Sequence, residues 1–153
     1  MKEIELTQGL VALVDDEDFE MLSQFKWCAV KWRSSFYTQS RIGKGVKTSM
    51  HRLLMNANPG EIVDHINRNS LDNRRKNLRI VSYAINMLNS GLPKNNTSGF
   101  KGAYWNKAAK KWCSYLGSKV DGKLTTKYLG SFDSPEEASA AYQAAVLERY
   151  GEF

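Results

Sequence analysis

Ten residues beyond the middle of this chain, Ser90-Gly91-Leu92-Pro93-Lys94-Asn95-Asn96-Thr97-Ser98-Gly99, favour neither helix nor strand. Gly, Pro, Asn and Ser at this density supply turn conformations and interrupt backbone pairing. They divide the 153 residues into parts of about 90 and 55, each near the size where a single core is only marginally stable. The expected organisation is therefore 1–91 and 98–153, two small cores in place of one large one.

The chain is 42% hydrophobic and 25% charged, which is a globular composition and not that of a disordered tail. No run of about 18 apolar residues occurs, so no helical membrane span is expected. The opening MKEIELTQ lacks the apolar stretch of a secretion signal and reads as intracellular. Cys28 and Cys113 follow no C-x-x-C spacing and read as buried free thiols. With His51 and His65 as the two histidines, a zinc site built from protein ligands is not expected.

The net charge is +6 and its distribution is uneven. Between Lys94 and Gly130 eight lysines face one acid, Asp121, whereas from Ser131 onward five acids face Arg149 alone. A basic segment followed by an acidic one suggests one surface that meets phosphate and another turned away from it.

Along the chain, Ile4, Leu6 and the run Leu10 to Val14 read as short strands, and Asp15-Asp16 opens a short helix with Phe19 and Leu22 on one face. Trp27 to Arg41 reads as a strand pair, and Thr48 to Met55 as a further strand or a strand-to-helix join carrying His51. On a strand, His51 would be a packing or phosphate-contacting residue. From Glu61 to Asn89 the order is strand, Asn/Arg-rich loop, strand, helix. The C-terminal part holds three strand-like runs, 100–106, 111–119 and 124–132, with Asp121-Gly122 as a hairpin turn. Ser134-Pro135-Glu136-Glu137 then opens a helix with a capping box, Ala138, Ala141, Tyr142 and Ala145 form its packing face, and Gly151 ends it.

The chemistry concentrates at Asp64-His65, at the end of a strand. Phosphodiester hydrolysis needs a base for the attacking water and an oxygen-seeking divalent ion for the phosphate and the leaving oxygen. Histidine titrates near neutrality and suits the first role. Mg²⁺ takes one or two protein oxygens, which Asp64 and Asn86 would supply, the latter on a helix capped by Ser82. Adjacent strand residues face opposite ways, so both serve one site only if the chain kinks after them. Spacing alone leaves a surface Asp-His pair as an alternative.

Asp64-His65, the Asn-rich loop with Asn73, Asn77-Leu78-Arg79, and Asn86 in the following helix resemble the HNH endonuclease motif, in the homing-endonuclease branch that ends in Asn. His51-Arg52-Leu53, Leu6-Thr7-Gln8-Gly9 and Val14-Asp15-Asp16 resemble the same phage and mobile-element proteins. The resemblance implies a ββα-metal core over about 61–90 and a cytoplasmic setting in a bacterial or phage-infected cell. It makes Asp64 and Asn86 the metal ligands and His65 the general base. Asn77 would hold the loop and orient the His65 ring. Asn86 at the last position favours Mg²⁺ or Mn²⁺ over zinc. Arg68 stands in a turn where Gly is expected. Arg74, Arg75, Lys76 and Arg79, with His51 and Arg52, would contact the DNA backbone.

Phe100-Lys101-Gly102-Ala103-Tyr104-Trp105, Lys127-Tyr128-Leu129-Gly130-Ser131-Phe132 and Glu136-Glu137-Ala138 with Ala141-Tyr142 resemble the plant ethylene-response-factor DNA-binding domain. That resemblance implies a three-stranded antiparallel sheet on one helix, with the sheet in the major groove. Lys101, Tyr104 and Asn106 stand where that family carries Arg, and Tyr128 replaces a Trp, so a different target is expected. Lys101, Tyr104, Trp105, Asn106, Lys110, Lys111 and Lys127 would touch DNA.

The expected fold is thus α+β, and the expected function a divalent-metal-dependent endonuclease acting on double-stranded DNA, with a second DNA-binding module. A non-catalytic DNA-binding regulator that keeps the HNH fold as scaffold is the alternative. A structural or protein-interaction module is the third.

Overall fold

The computed structural model describes residues 1–32, 35–120 and 123–151, with backbone alone at 119 and 120. The expected hairpin turn at Asp121-Gly122 lies outside the described residues. By packing, the chain divides into two compact units, Met1–Val81 and Ser82–Phe153. That division falls ahead of the 90–99 segment.

The first unit opens with a hairpin of β1 (Lys2–Glu5) and β2 (Val11–Val14), followed by α1 (Asp16–Ser23), whose first turn carries Asp16, Glu17 and Asp18 at the positive end of the helix dipole. An antiparallel meander comes next: β3 (Cys28–Trp32), β4 (Ser35–Ile42) and β5 (Val46–Ser49). The short helix α2 (Met50–Leu54) follows β5 directly, so His51 stands on a helix and not on a strand. A second hairpin, β6 (Ile62–His65) and β7 (Leu78–Val81), closes the unit. Its core joins Ile4, Val14, Leu22, Trp27, Met50, Leu54 and Leu78. Each such side chain adds roughly 1.5–3 kcal/mol on burial. The Trp27 indole N–H donates to the Leu22 carbonyl at 2.8 Å, so burying it strands no donor.

The second unit begins with α3 (Tyr83–Asn89), capped by the Ser82 hydroxyl, which accepts from the Ile85 N–H at 3.2 Å. Its sheet is β8 (Ala103–Asn106), β9 (Lys111–Val120) and β10 (Lys123–Phe132), all antiparallel with β9 central. The helix α4 (Pro135–Tyr150) packs on all three strands and on α3. It starts with the full capping box of Ser134 and Glu137. Ala138, Ala145 and Val146 are its buried core residues. At Gly102 φ is +77° and an added Cβ would lie 2.2 Å from Tyr142 Cγ, so the chain passes too close to the helix for any side chain there.

Among the described residues all the strand pairings are antiparallel and four α-helices accompany the sheets, so the fold is α+β, as expected. Both cysteines are free. Among the described residues no helix is long and apolar enough to cross a membrane.

Candidate active site

The β6–β7 hairpin pairs Asp64 with Arg79 and His65 with Leu78. Asp64 and His65 are 7% and 6% exposed, so the pair is not a surface pair. The chain bends at once: the Arg68 N–H returns to the His65 carbonyl at 2.8 Å. Arg68 takes φ +62°, the left-handed conformation that favours glycine.

Side chains that close on one another hold the loop beyond. Asn67 donates its backbone N–H to Asn77 Oδ1 (2.9 Å) and its amide to Asp72 Oδ2 (2.8 Å), while Asn77 Nδ2 donates to the Asp72 carbonyl (2.7 Å). Short Asx side chains do this well because they reach backbone groups a few residues away. Arg74 grips both Asp72 oxygens, at 2.7 and 2.6 Å, and this pairing holds the Asp72 carboxyl below its ordinary range. The N-terminal hairpin backs the loop: Leu13 N–H donates to the Leu71 carbonyl and Asn73 N–H to the Leu13 carbonyl, both at 2.8 Å. Ser70 Oγ adds a bond to the Phe36 carbonyl at 2.6 Å.

His65 lies among rings. Its centroid is 5.1 Å from His51 and 6.3 Å from Tyr37, and Tyr37 and His51 are 5.9 Å apart, all edge to face. Asn73, fully buried, turns Oδ1 to His65 Nε2 at 3.5 Å. Burial pushes the His65 pKa down, against the opposing pull of Asn73, Asp64 and Asp72. His51 is lowered to about 4, mainly by burial and further by the neighbouring His65 and Arg52. Both imidazoles are therefore neutral at neutral pH, the state in which a ring nitrogen accepts a proton.

Arg79 Nε and Nη2 both bond Asp64 Oδ2, at 3.0 and 2.8 Å. Among the described residues no three His, Cys, Asp or Glu side chains converge as a metal cage. Mg²⁺ and Mn²⁺ favour oxygen donors, and Mg²⁺ usually takes only one or two from protein. A buried Asp64 carboxylate and an Asn86 amide fit that requirement in kind. Asn86 stands on α3, in the second unit.

Several residues expected at the DNA have intramolecular partners. Arg52 donates to the carbonyls of Glu61 (2.6 Å), Ala57 (3.3 Å) and Asn58 (2.6 Å), tying down the turn before β6. Arg75 is bonded to both Asp18 oxygens and to the Leu54 carbonyl. The Lys101 ammonium donates to the carbonyls of Met87, Leu88 and Ser90 and caps the end of α3. Asn106 Oδ1 accepts from the Ala108 and Ala109 N–H groups, and Lys111 pairs with Asp133. Lys76, Lys110 and Lys127 are exposed, as are Tyr104 and Trp105.

Two neighbours of His65 escaped the sequence-based assignment of roles. Tyr37 arrives through the β4 register, which no local motif reveals, and Asn73 was one amide among several in its loop.

Known proteins match part of the chain. The HNH endonuclease family matches residues 56–88, which include Asp64, His65, Asn73, Asn77 and Asn86. Protein 3.8 of Escherichia phage T7 is 42% identical over 53 residues, 35% of this chain and 44% of that protein. The chain thus spans less than half the length of this relative. No solved structure matches. Residues 56–88 are similar to HNH endonucleases.

Proposed function

We propose that the protein is a divalent-metal-dependent DNA endonuclease of the homing type. The observation that carries this reading is the buried Asp64–His65 pair, at the end of β6, inside the stretch that matches HNH endonucleases. His65 takes the proton of the attacking water. Asn73 Oδ1, 3.5 Å from His65 Nε2, helps to hold that ring. Asp64 and Asn86 would hold a Mg²⁺ or Mn²⁺ ion. When bound, that ion neutralises charge on the phosphate and the leaving oxygen. Asn77 keeps the loop closed so that His65 stays aimed. Arg79, bonded to Asp64 Oδ2 at 3.0 and 2.8 Å, would orient that carboxylate for the ion.

The second unit is proposed as a further double-stranded DNA contact, on its resemblance to the plant ethylene-response-factor domain and on its exposed lysines. Two tethered weak binders raise effective affinity without new contacts. Lys76 in the first unit and Lys110 and Lys127 in the second are the cations we assign to phosphate.

The test incubates purified protein with supercoiled plasmid and phage DNA in Mg²⁺, Mn²⁺ or EDTA, beside His65→Ala. Metal-dependent nicking, slowed at least 100-fold in the variant while gel shifts persist, is the expected result. DNA shifted at low salt but cut with no ion would leave the non-catalytic regulator.

A further inference from the structure

We propose that His51 is a positioning residue for the His65 base, holding its imidazole through ring contact and touching neither metal nor DNA. This rests on the nuclease reading above and extends it to residues outside the matched stretch 56–88.

His51 is 9% exposed, which leaves it little surface to offer a phosphate. It sits on α2, whose core neighbours Met50 and Leu54 are buried in the first unit, so its backbone is fixed by apolar packing. Its Nδ1 is shut from solvent and has no hydrogen-bond partner. The ring is therefore not held in place as a link in a polar network through that atom. What it meets is rings: His65 at 5.1 Å with an interplanar angle of 76°, and Tyr37 at 5.9 Å with 65°. Tyr37 in turn meets His65 at 6.3 Å, so each of the three rings touches the other two.

Such a triangle restrains what the backbone cannot. His65 ends a strand and is followed by a tight turn, which fixes its Cα but leaves two side-chain torsions. Its hydrogen bond to Asn73 is long, at 3.5 Å, and the ring contacts add to the restraint. Edge-to-face packing on two sides limits rotation of the imidazole plane. A base that is misaimed by about an ångström loses up to 100-fold in rate. A phenylalanine at this position fills the same place without stranding a nitrogen.

The proposal is tested with full-length His51→Ala, His51→Phe and Leu54→Val, the last a core change on the same helix that leaves the triangle intact. Single-turnover plasmid cleavage gives the rate, titration gives the DNA Kd, and thermal melts give Tm. His51→Ala should cut at least tenfold more slowly at unchanged Kd, and His51→Phe should recover to within about threefold of the parent with no loss of Tm. Leu54→Val should lower Tm and leave the rate. A weaker Kd with the rate kept would make His51 a DNA contact and overturn the proposal. So would a full rate in His51→Ala, or a His51→Phe as slow as His51→Ala. Should the parent cut no DNA with any ion, the nuclease reading fails by itself. Imidazole NMR of His65 still decides the inference: one ring orientation in the parent and in His51→Phe, averaging in His51→Ala. Identical spectra in all three would overturn it.

Discussion

In the first unit Asp18, His51, Asp64, His65, Asp72, Asn73 and Asn77 are buried, whereas in the second the buried polar side chains, among the described residues, are Ser82, Ser114 and Ser139. The cations differ in the same sense. Arg74, Arg75 and Arg79 are spent on Asp72, Asp18 and Asp64, while Lys107, Lys110 and Lys127 lie exposed on the second unit. Buried amides and charges are stable only with partners, and assembling the partners costs apolar core. The first unit bears that cost around His65, which is what a built site requires. The second follows ordinary rules, with an apolar interior and charge outside, which suits a surface that meets phosphate by attraction alone.

The sharpest way to separate the units is Gly102→Ala. The new methyl meets Tyr142 at a left-handed backbone position, so the second unit should lose about 3 kcal/mol or more. Amide exchange should show its sheet opening while β6 and β7 stay protected. Equal protection in both units would break the comparison.

Acid should act the other way, because both histidines are in the first unit. A histidine whose folded pKa lies below its unfolded value binds protons better unfolded, so stability falls as pH drops from about 6.5 towards the folded value. For His51, lowered to about 4, the loss is on the order of 3 kcal/mol across that window. His65, also lowered, adds to it. Melts followed through Trp27 should shift between pH 6.5 and 4 while the β9–β10 amides respond little by this route.

Charge deletions give a smaller contrast. Lys110→Ala and Lys127→Ala should each weaken DNA binding by about 1 kcal/mol and reduce the salt slope by about one. Arg75→Ala should lower Tm by stranding Asp18 and leave the salt slope unchanged. Anisotropy titrations at several salt concentrations separate the two behaviours. Least of all, Arg68→Gly relieves a left-handed arginine and should raise Tm by no more than about 1 kcal/mol equivalent.

Much of this was legible without coordinates. Ser134-Pro135-Glu136-Glu137 announces its helix because capping is a local hydrogen-bond pattern, and the structure carries both halves of the box. The α+β class and the three-stranded sheet with its helix followed from periodicity and turn residues. The turn at Arg68 was visible as a misfit between residue type and backbone. Arg52, Arg75 and Lys101 read as cations available to DNA, yet each donates to partners that local sequence does not reveal: the carbonyls of Glu61, Ala57 and Asn58, the Asp18 carboxylate, and the end of α3. An arginine's charge is plain in a sequence, but its partner is a property of the fold.

Sequence by itself determined the local elements, their caps and turns, and the Asp64–His65 pair with its Asn-rich loop, since all of these depend on neighbours within a few residues. Tertiary structure decided the surroundings of His65. Tyr37, His51 and Asn73 come from β4, α2 and the loop, and only packing around a shared core brings three such distant segments within hydrogen-bond or ring-contact range of one imidazole.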